Sequence, residues 1–167
     1  KNEQFRNYFI NQMQQRKITK EYTAIVVGST LGSSSIDEPI GRDKFNRTKM
    51  TIRSDGKEAL TSIRSCKKIG NYSILDIAIE TGRTHQIRVH LSSKKLPIVG
   101  DRTYDPRKSI AKDSSVKLIN IIRSFPRQAL HSRFLSFICP KTQSEISFDI
   151  PTPADMEKLI LDIKKYS

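Results

Sequence analysis

Nowhere in these 167 residues does an apolar run approach the roughly 18 residues that a membrane helix requires, so a spanning helix is not expected. The opening Lys1-Asn2-Glu3-Gln4-Phe5-Arg6 holds no hydrophobic leader core, and a cytoplasmic protein is expected. Cysteine is scarce: Cys66 and Cys139 stand far apart without metal-ligand spacing. That argues against a disulfide scaffold and fits free thiols in a reducing compartment. The three histidines, His85, His90 and His131, have no thiol or acidic ligand to complete a zinc site, so no metal is expected. Internal repeats, low-complexity tracts and interior linkers are absent, which leaves residues 1–167 as one domain. Acid is also short, with 17 Asp and Glu against 30 Lys and Arg and a net charge of +13. Such a balance suits a polyanionic partner, nucleic acid first, although a merely basic soluble protein would carry the same charge.

What is present reads as a globular domain, with 36% hydrophobic and 28% charged residues. Residues 3–16 read as a helix with an apolar stripe of Phe5, Phe9 and Met13. Tyr22 to Gly28 reads as a strand, and a turn at 32–35 leads to a short strand at Ile36. Residues 48–53 alternate, and Asp55-Gly56 is a hairpin signal that sends the chain back through Ala59 to Cys66. Gly70-Asn71 turns into a strand over 72–80, with Leu75, Ile77 and Ile79 on one face. Residues 84–91 read as a short helix with Thr84 as its cap. Residues 96–101 are extended, 102–113 form a basic loop, and 116–123 read as a helix. Strands over 129–139 and 145–150 are joined at Pro140-Lys141-Thr142-Gln143. A last helix over 154–165 turns Met156, Leu159, Ile160 and Ile163 inward. The sum is an α+β fold: a mixed, mostly antiparallel sheet with a few flanking helices.

One stretch stands apart. Thr81-Gly82-Arg83-Thr84-His85-Gln86-Ile87-Arg88-Val89-His90 gathers two arginines, two histidines, a glutamine and two threonines after an apolar strand. Core filling does not need those side chains, and a solvated helix face would show Lys and Glu pairs instead. Around it lie Lys20-Glu21-Tyr22 with Ala24, Asp37-Glu38-Pro39-Ile40, and Gly56-Lys57. Pro97-Ile98-Val99-Gly100-Asp101 with Tyr104, Arg127 to His131, and Pro151-Thr152-Pro153 complete the set. In this order and spacing the chain resembles the pseudouridine synthases that modify large-subunit ribosomal RNA, the D type in particular.

The resemblance implies an isomerase that turns uridine into pseudouridine in structured RNA, without metal or cofactor and as a monomer. It implies a nucleophilic aspartate in an His-Arg-Leu-Asp segment, and no Arg-Leu-Asp occurs here. The expectation is therefore the C-terminal portion of a catalytic domain, with the aspartate segment and an S4-type RNA-binding domain lying outside it. Such a piece would be inactive alone. The alternatives are a non-catalytic RNA-binding domain and a ribosome-associated structural protein.

The chemistry asks for a carboxylate acting as nucleophile or as base at C2′, a cation to keep it ionised, a stacking surface, and extrusion of the nucleotide. The resemblance gives the cation to Arg88, whose alternative is a phosphate contact. It sets Tyr22 against the base, where the alternative is a half-buried strand aromatic. Arg83 and His85, beside a helix N-terminus, are candidates for phosphate contact or for structural hydrogen bonding. Thr84 and Gln86 join them as candidate RNA contacts, although Gln86, His90 and His131 better suit orienting neighbours. Gly82 and Gly100 are read as turn formers. The basic loop with Arg102 and the cluster Arg42, Lys44, Arg47 and Lys49 are candidates for tracking the RNA backbone, or for solubility alone.

Overall fold

The computed structural model describes residues 3–30 and 32–167; Lys1-Asn2, where the leader reading begins, lies outside them. Twelve elements follow in order. They are α1 (Glu3–Gln14), β1 (Thr19–Val27), β2 (Ser34–Asp37), β3 (Ile40–Arg42), β4 (Met50–Ile52) and β5 (Leu60–Ile69), then β6 (Tyr72–Ile79), α2 (Gln86–Ser93), α3 (Val116–Ser124), β7 (Leu130–Ile138), β8 (Glu145–Asp149) and α4 (Ala154–Tyr166). Six strands make one sheet in the order β2-β5-β6-β1-β7-β8, and β3 with β4 makes a second. Every ladder is antiparallel, as in an α+β fold with its helices on the flanks.

The centre of the sheet is covered on both faces. Thr23 to Val26 of β1 are all buried, which explains a run of apolar residues without alternation. Alternation survives on β6, where Leu75, Ile77 and Ile79 are buried and Ile74, Asp76 and Ala78 less so. Leu118 and Ile122 of α3 pack in the same core as Met156, Leu159 and Ile163 of α4. Ser115 caps α3 by accepting from the Leu118 N–H, and its hydroxyl donates to the Tyr166 carbonyl, tying the start of α3 to the end of α4. In α4, Asp155 and Glu157 sit in the first turn and Lys164 and Lys165 in the last, each on the favourable end of the helix dipole.

Three local expectations differ from the fold. Asp55-Gly56 makes a turn, closed by Gly56 N–H to the Arg53 carbonyl at 2.9 Å, but not a hairpin between ladder partners. Residue 56 is glycine because a Cβ would stand 2.6 Å from the Ile40 carbonyl carbon. Beyond it the chain moves to the main sheet, so β4 pairs with β3 and the strand after the turn pairs elsewhere. Secondly, α2 is not capped by Thr84. His85 is the cap residue in a left-handed conformation (φ 58), and Gln86 folds back to accept the Arg83 N–H at 3.0 Å. Thirdly, the stripe on α1 is not its buried face, since Phe5 and Met13 are exposed. The buried residue is Gln12, whose amide donates to the Ile138 carbonyl and accepts from its N–H, both at 2.8 Å. A single side chain there continues the ladder at the end of β7.

Candidate functional site

The site is assembled where the loop 80–85 enters α2. Period-2 alternation puts Tyr22 and Ala24 on one face of β1, opposite Ile77 and Leu75 of β6. Ile77 and Ile79 face Ile63 and Thr61 of β5 on the same side. That side is covered by α2, because Gln86 and His90 both reach the Thr61 hydroxyl, at 3.1 and 2.9 Å. Tyr22 therefore lies on the α2 face of the sheet, partly buried against the core.

Gln86 and His90 are interior scaffolding. Gln86 is 2% exposed and its amide donates to the Leu60 carbonyl and Thr61 Oγ1 while accepting from Thr81 Oγ1 and the Arg83 N–H. Among the ten residues of the polar stretch, Gln86 therefore orients its neighbours rather than facing solvent. His90 is fully buried between the Thr61 hydroxyl and the Glu38 carbonyl. The carbonyl can only accept, so Nε2 carries the proton and Nδ1 accepts from Thr61. Burial holds this imidazole below its ordinary pKa, against the pull of the Glu38 carbonyl and carboxylate.

About 200° around the helix from both, Arg88 points away from β5. Its Nε and Nη2 donate to the two carboxylate oxygens of Asp101 at 2.7 and 2.6 Å. Its guanidinium also lies 5.0 Å from the centre of the Tyr104 ring. Among the described residues no acceptor takes Nη1. Burial pushes the Asp101 carboxyl up, but the paired guanidinium and the N–H groups of Tyr104 and Thr103 outweigh it, and it rests below its ordinary value. The same pairing raises Arg88. The Tyr104 hydroxyl accepts the Met50 N–H and pairs with His85 Nδ1, each at 2.9 Å. Desolvation and then the Arg88 charge lower His85, which favours the neutral ring.

Gly100 makes this arrangement possible. Its φ is +77, and a Cβ there would stand 2.0 Å from the Arg127 carbonyl oxygen. The segment before it bonds Val99 N–H to Ile25 O and Ala129 N–H to Val99 O, threading Asp101 into the sheet's end. Gly82 is different: its backbone is outside the left-handed region and a Cβ would meet only the Lys20 ammonium, at 3.6 Å. That distance is an ordinary contact, so neither a turn nor a close approach requires glycine at this position.

Two cavities adjoin. One of about 410 Å³ is bounded by Arg42, Met50, Lys57, Gly82, Arg83 and Thr84, with Asp55 on its rim. The other, about 460 Å³, shares Asp55 and is bounded by Asp43, Lys44, Phe45 and Arg53. Arg42, Arg83 and Thr84 are thus brought together, while Arg47 and Lys49 sit on the β3–β4 hairpin beside them. Arg102 is exposed, one residue beyond Asp101, and His131 bonds the Ile150 carbonyl at 3.1 Å. No hydrogen bond or ring contact among the described residues links Tyr22 to Arg88.

Lys20, Asp101 and Tyr104 are residues that sequence reasoning did not single out for a role. Burial and then the neighbouring Arg83 charge lower the Lys20 ammonium, so two cations lie together at the mouth of the loop. The signal was in the sequence: Lys20 precedes Tyr22 by two, hence shares its face, and Tyr104 follows Asp101 at turn spacing.

The chain is 40% identical over 156 residues to ribosomal large subunit pseudouridine synthase D of Vibrio cholerae, a match covering 93% of this chain and 48% of the relative. It is 37% identical to an RNA pseudouridine synthase of Bacillus subtilis, over 99% of this chain and 50% of that one. The chain spans about half the length of these relatives. The solved structure of human RNA pseudouridylate synthase domain containing 1 superposes with a TM-score of 0.65 at 26% identity, covering 90% of this chain and 61% of that one. Human RNA pseudouridylate synthase domain containing 4 shares the fold, with a TM-score of 0.71 at 22% identity over 99% of this chain and 69% of its own. Residues 1–93 match the family model described as RNA pseudouridylate synthase, and the chain belongs to that family.

Proposed function

We propose that the 167 residues are the C-terminal part of a catalytic domain that isomerises uridine to pseudouridine in structured RNA, with large-subunit ribosomal RNA as substrate. The observation that carries the reading is the arginine fixed in its plane by Asp101, in a chain of this family whose neighbouring residues 82–84 line a cavity with Arg42 and Lys57.

Uridine isomerisation breaks the N-glycosidic bond, turns the freed uracil and joins its C5 to C1′. Asp101 grips Arg88 by two nitrogens and fixes its plane, which leaves Nη1 to donate to a second carboxylate. Arg88 and Asp101 together are neutral, so the field that keeps a second carboxylate ionised also draws on Lys20 and Arg83. Tyr22, on the face that α2 covers, stacks on the uracil during its rotation. Arg83, Thr84 and Arg42 meet phosphates at the cavity, with His85 beside them. Arg47, Lys49 and Arg102 extend the cationic track, and affinity falls with salt as counterions are released. The reading makes the protein a cytoplasmic monomer that needs no metal or cofactor.

The reacting aspartate has no Arg-Leu-Asp counterpart among these residues. The 167 residues alone should therefore form no pseudouridine in a ribosomal RNA transcript, and joining an upstream segment bearing His-Arg-Leu-Asp should produce it. Arg88→Ala in the joined protein should reduce the rate at least 100-fold, the scale on which a positioned electrostatic group acts. Product from the 167 residues alone would remove the assignment of the nucleophile. A full rate from Arg88→Ala would remove the role of the arginine. A second reading, RNA binding without chemistry, is favoured by the same missing aspartate, and inactivity of the joined protein would select it.

A further inference from the structure

The β3–β4 hairpin carries a side chain that the fold does not use. Phe45 is 99% exposed, in a chain whose other phenylalanines all find partial cover. Its setting is rigid. Asp43 Oδ1 accepts the N–H groups of Phe45 and Asn46 at 2.8 and 2.7 Å. Asn46 Oδ1 accepts from the N–H and hydroxyl of Thr48 at 3.1 and 2.6 Å. Arg42 Nη1 donates to the Arg47 carbonyl at 2.6 Å, and Asp43 N–H to the Lys49 carbonyl at 3.0 Å. The ring is thus projected into water from a loop braced by these hydrogen bonds.

Charge surrounds the ring. Lys44, Arg47 and Lys49 are its neighbours in the loop, and Arg53 lines the cavity of about 460 Å³ at its side. Of the two carboxylates nearby, Asp43 accepts backbone N–H groups and Asp55 pairs with Arg53 at 2.8 Å, which leaves Lys44, Arg47 and Lys49 as the charges beside the ring. The cavity falls in the range of roughly 300–1,000 Å³ that small-ligand sites occupy. A docking surface for protein would extend the apolar area beyond one ring, and Lys44, Asn46, Arg47 and Thr48 do not. An aromatic plane among cations is instead the arrangement that grips single-stranded nucleic acid, with bases stacked on the ring and phosphates on the charges.

We infer that Phe45 is a stacking platform for an unpaired base of the RNA, with Lys44 and Arg47 holding the flanking phosphates. This rests on the reading that the protein acts on RNA, and it adds that the RNA presents an unpaired nucleotide next to the reacting one. The adjoining cavity that leads to Gly82 and Arg83 shares its Asp55 wall, so the stacked base and the site lie side by side.

The test uses the 167-residue chain and a fluorescently labelled single-stranded oligoribonucleotide, with a fully paired duplex of the same sequence beside it. Phe45→Ala should weaken single-strand binding roughly 5- to 150-fold, the range for loss of one stacked base, and leave the salt dependence unchanged. Because the chain contains no tryptophan, Phe45→Trp places one reporter at the tip. That variant should keep its affinity, and its emission should be quenched by the single strand and not by the duplex. Circular dichroism of both variants should match the parent, since the ring contacts no core residue. Equal affinity of Phe45→Ala and parent, or an unquenched Phe45→Trp complex, overturns the stacking role alone. Failure of the parent chain to bind either RNA overturns both this inference and the reading beneath it.

Discussion

The Arg88–Asp101 pair and the β3–β4 hairpin both use cationic side chains, yet they are built on opposite plans. At the first, the guanidinium is nearly enclosed, with 12% of its side chain exposed against 1% for Asp101, and every hydrogen bond has a fixed direction. At the second, Lys44 and Arg47 stand exposed in water. Enclosure makes charge strong and geometrically exact, because desolvated pairs are poorly screened. It also makes the pair intolerant of losing either member. Exposure makes each charge weak singly and replaceable, suited to a flexible polyanion. Chemistry belongs with the first plan and capture with the second.

The comparison is broken most severely at Asp101. Asp101→Ala leaves Arg88 without its bidentate partner and strands the N–H groups of Thr103 and Tyr104. Removing one member of a buried pair costs about 3–5 kcal/mol. Urea unfolding should report a loss of that size, with the double variant Arg88→Ala, Asp101→Ala losing less than the sum of the two singles. Additive losses would show that the two side chains act independently.

A smaller effect separates the regions by pH. His90 is buried, and its folded pKa lies below the unfolded value of about 6.5. The unfolded chain therefore binds the extra proton first, so stability is complete above about pH 6.5 and declines as the pH falls below it. Asp101 has the same sign in a lower window: its depressed folded pKa gives stability that is present above about pH 4 and lost on further acidification. Melting temperatures between pH 8 and pH 5 should fall, and His90→Gln should flatten that dependence. A parent chain as stable at pH 5 as at pH 8 would contradict the buried neutral imidazole.

What the sequence disclosed follows the same division. Strand β6 and helices α3 and α4 were legible because their burial repeats at the period of the element, as Leu75, Ile77 and Ile79, Leu118 and Ile122, or Met156, Leu159 and Ile163 show. The helix cap was misread because Thr84 has the chemistry of a cap but His85 has the backbone of one, and φ is not written in residue type. The Asp55-Gly56 turn was legible as a turn, whereas its ladder partners depend on contacts distant in the chain. Among candidate site residues, the polar stretch 81–90 was visible by its composition. Its split into interior scaffold (Gln86, His90) and the half-buried Arg83, whose Nε bonds the Glu58 carbonyl at 2.8 Å, was not, because Gln86 and His90 stand four apart on one face of α2 while Arg83 lies in the loop before it. The partner of Arg88 was hidden for a related reason. Asp101 lies in an extended segment whose direction is set by Gly100, and only the fold brings it round.

The smallest effect sharpens the comparison from the hairpin side. Lys44 is exposed and forms no ion pair among the described residues, so Lys44→Ala should move the melting temperature by no more than roughly 2 °C. Its consequence should appear only against RNA. If Lys44 neutralises one phosphate of a single strand, the slope of log K against log salt should become shallower by about 0.7. The enclosed pair should show the reverse pattern, with a large stability change and little change in slope, because Arg88 has Asp101 as its counterion already. A Lys44→Ala slope identical to the parent's would place the captured strand elsewhere and leave the hairpin charges to solubility.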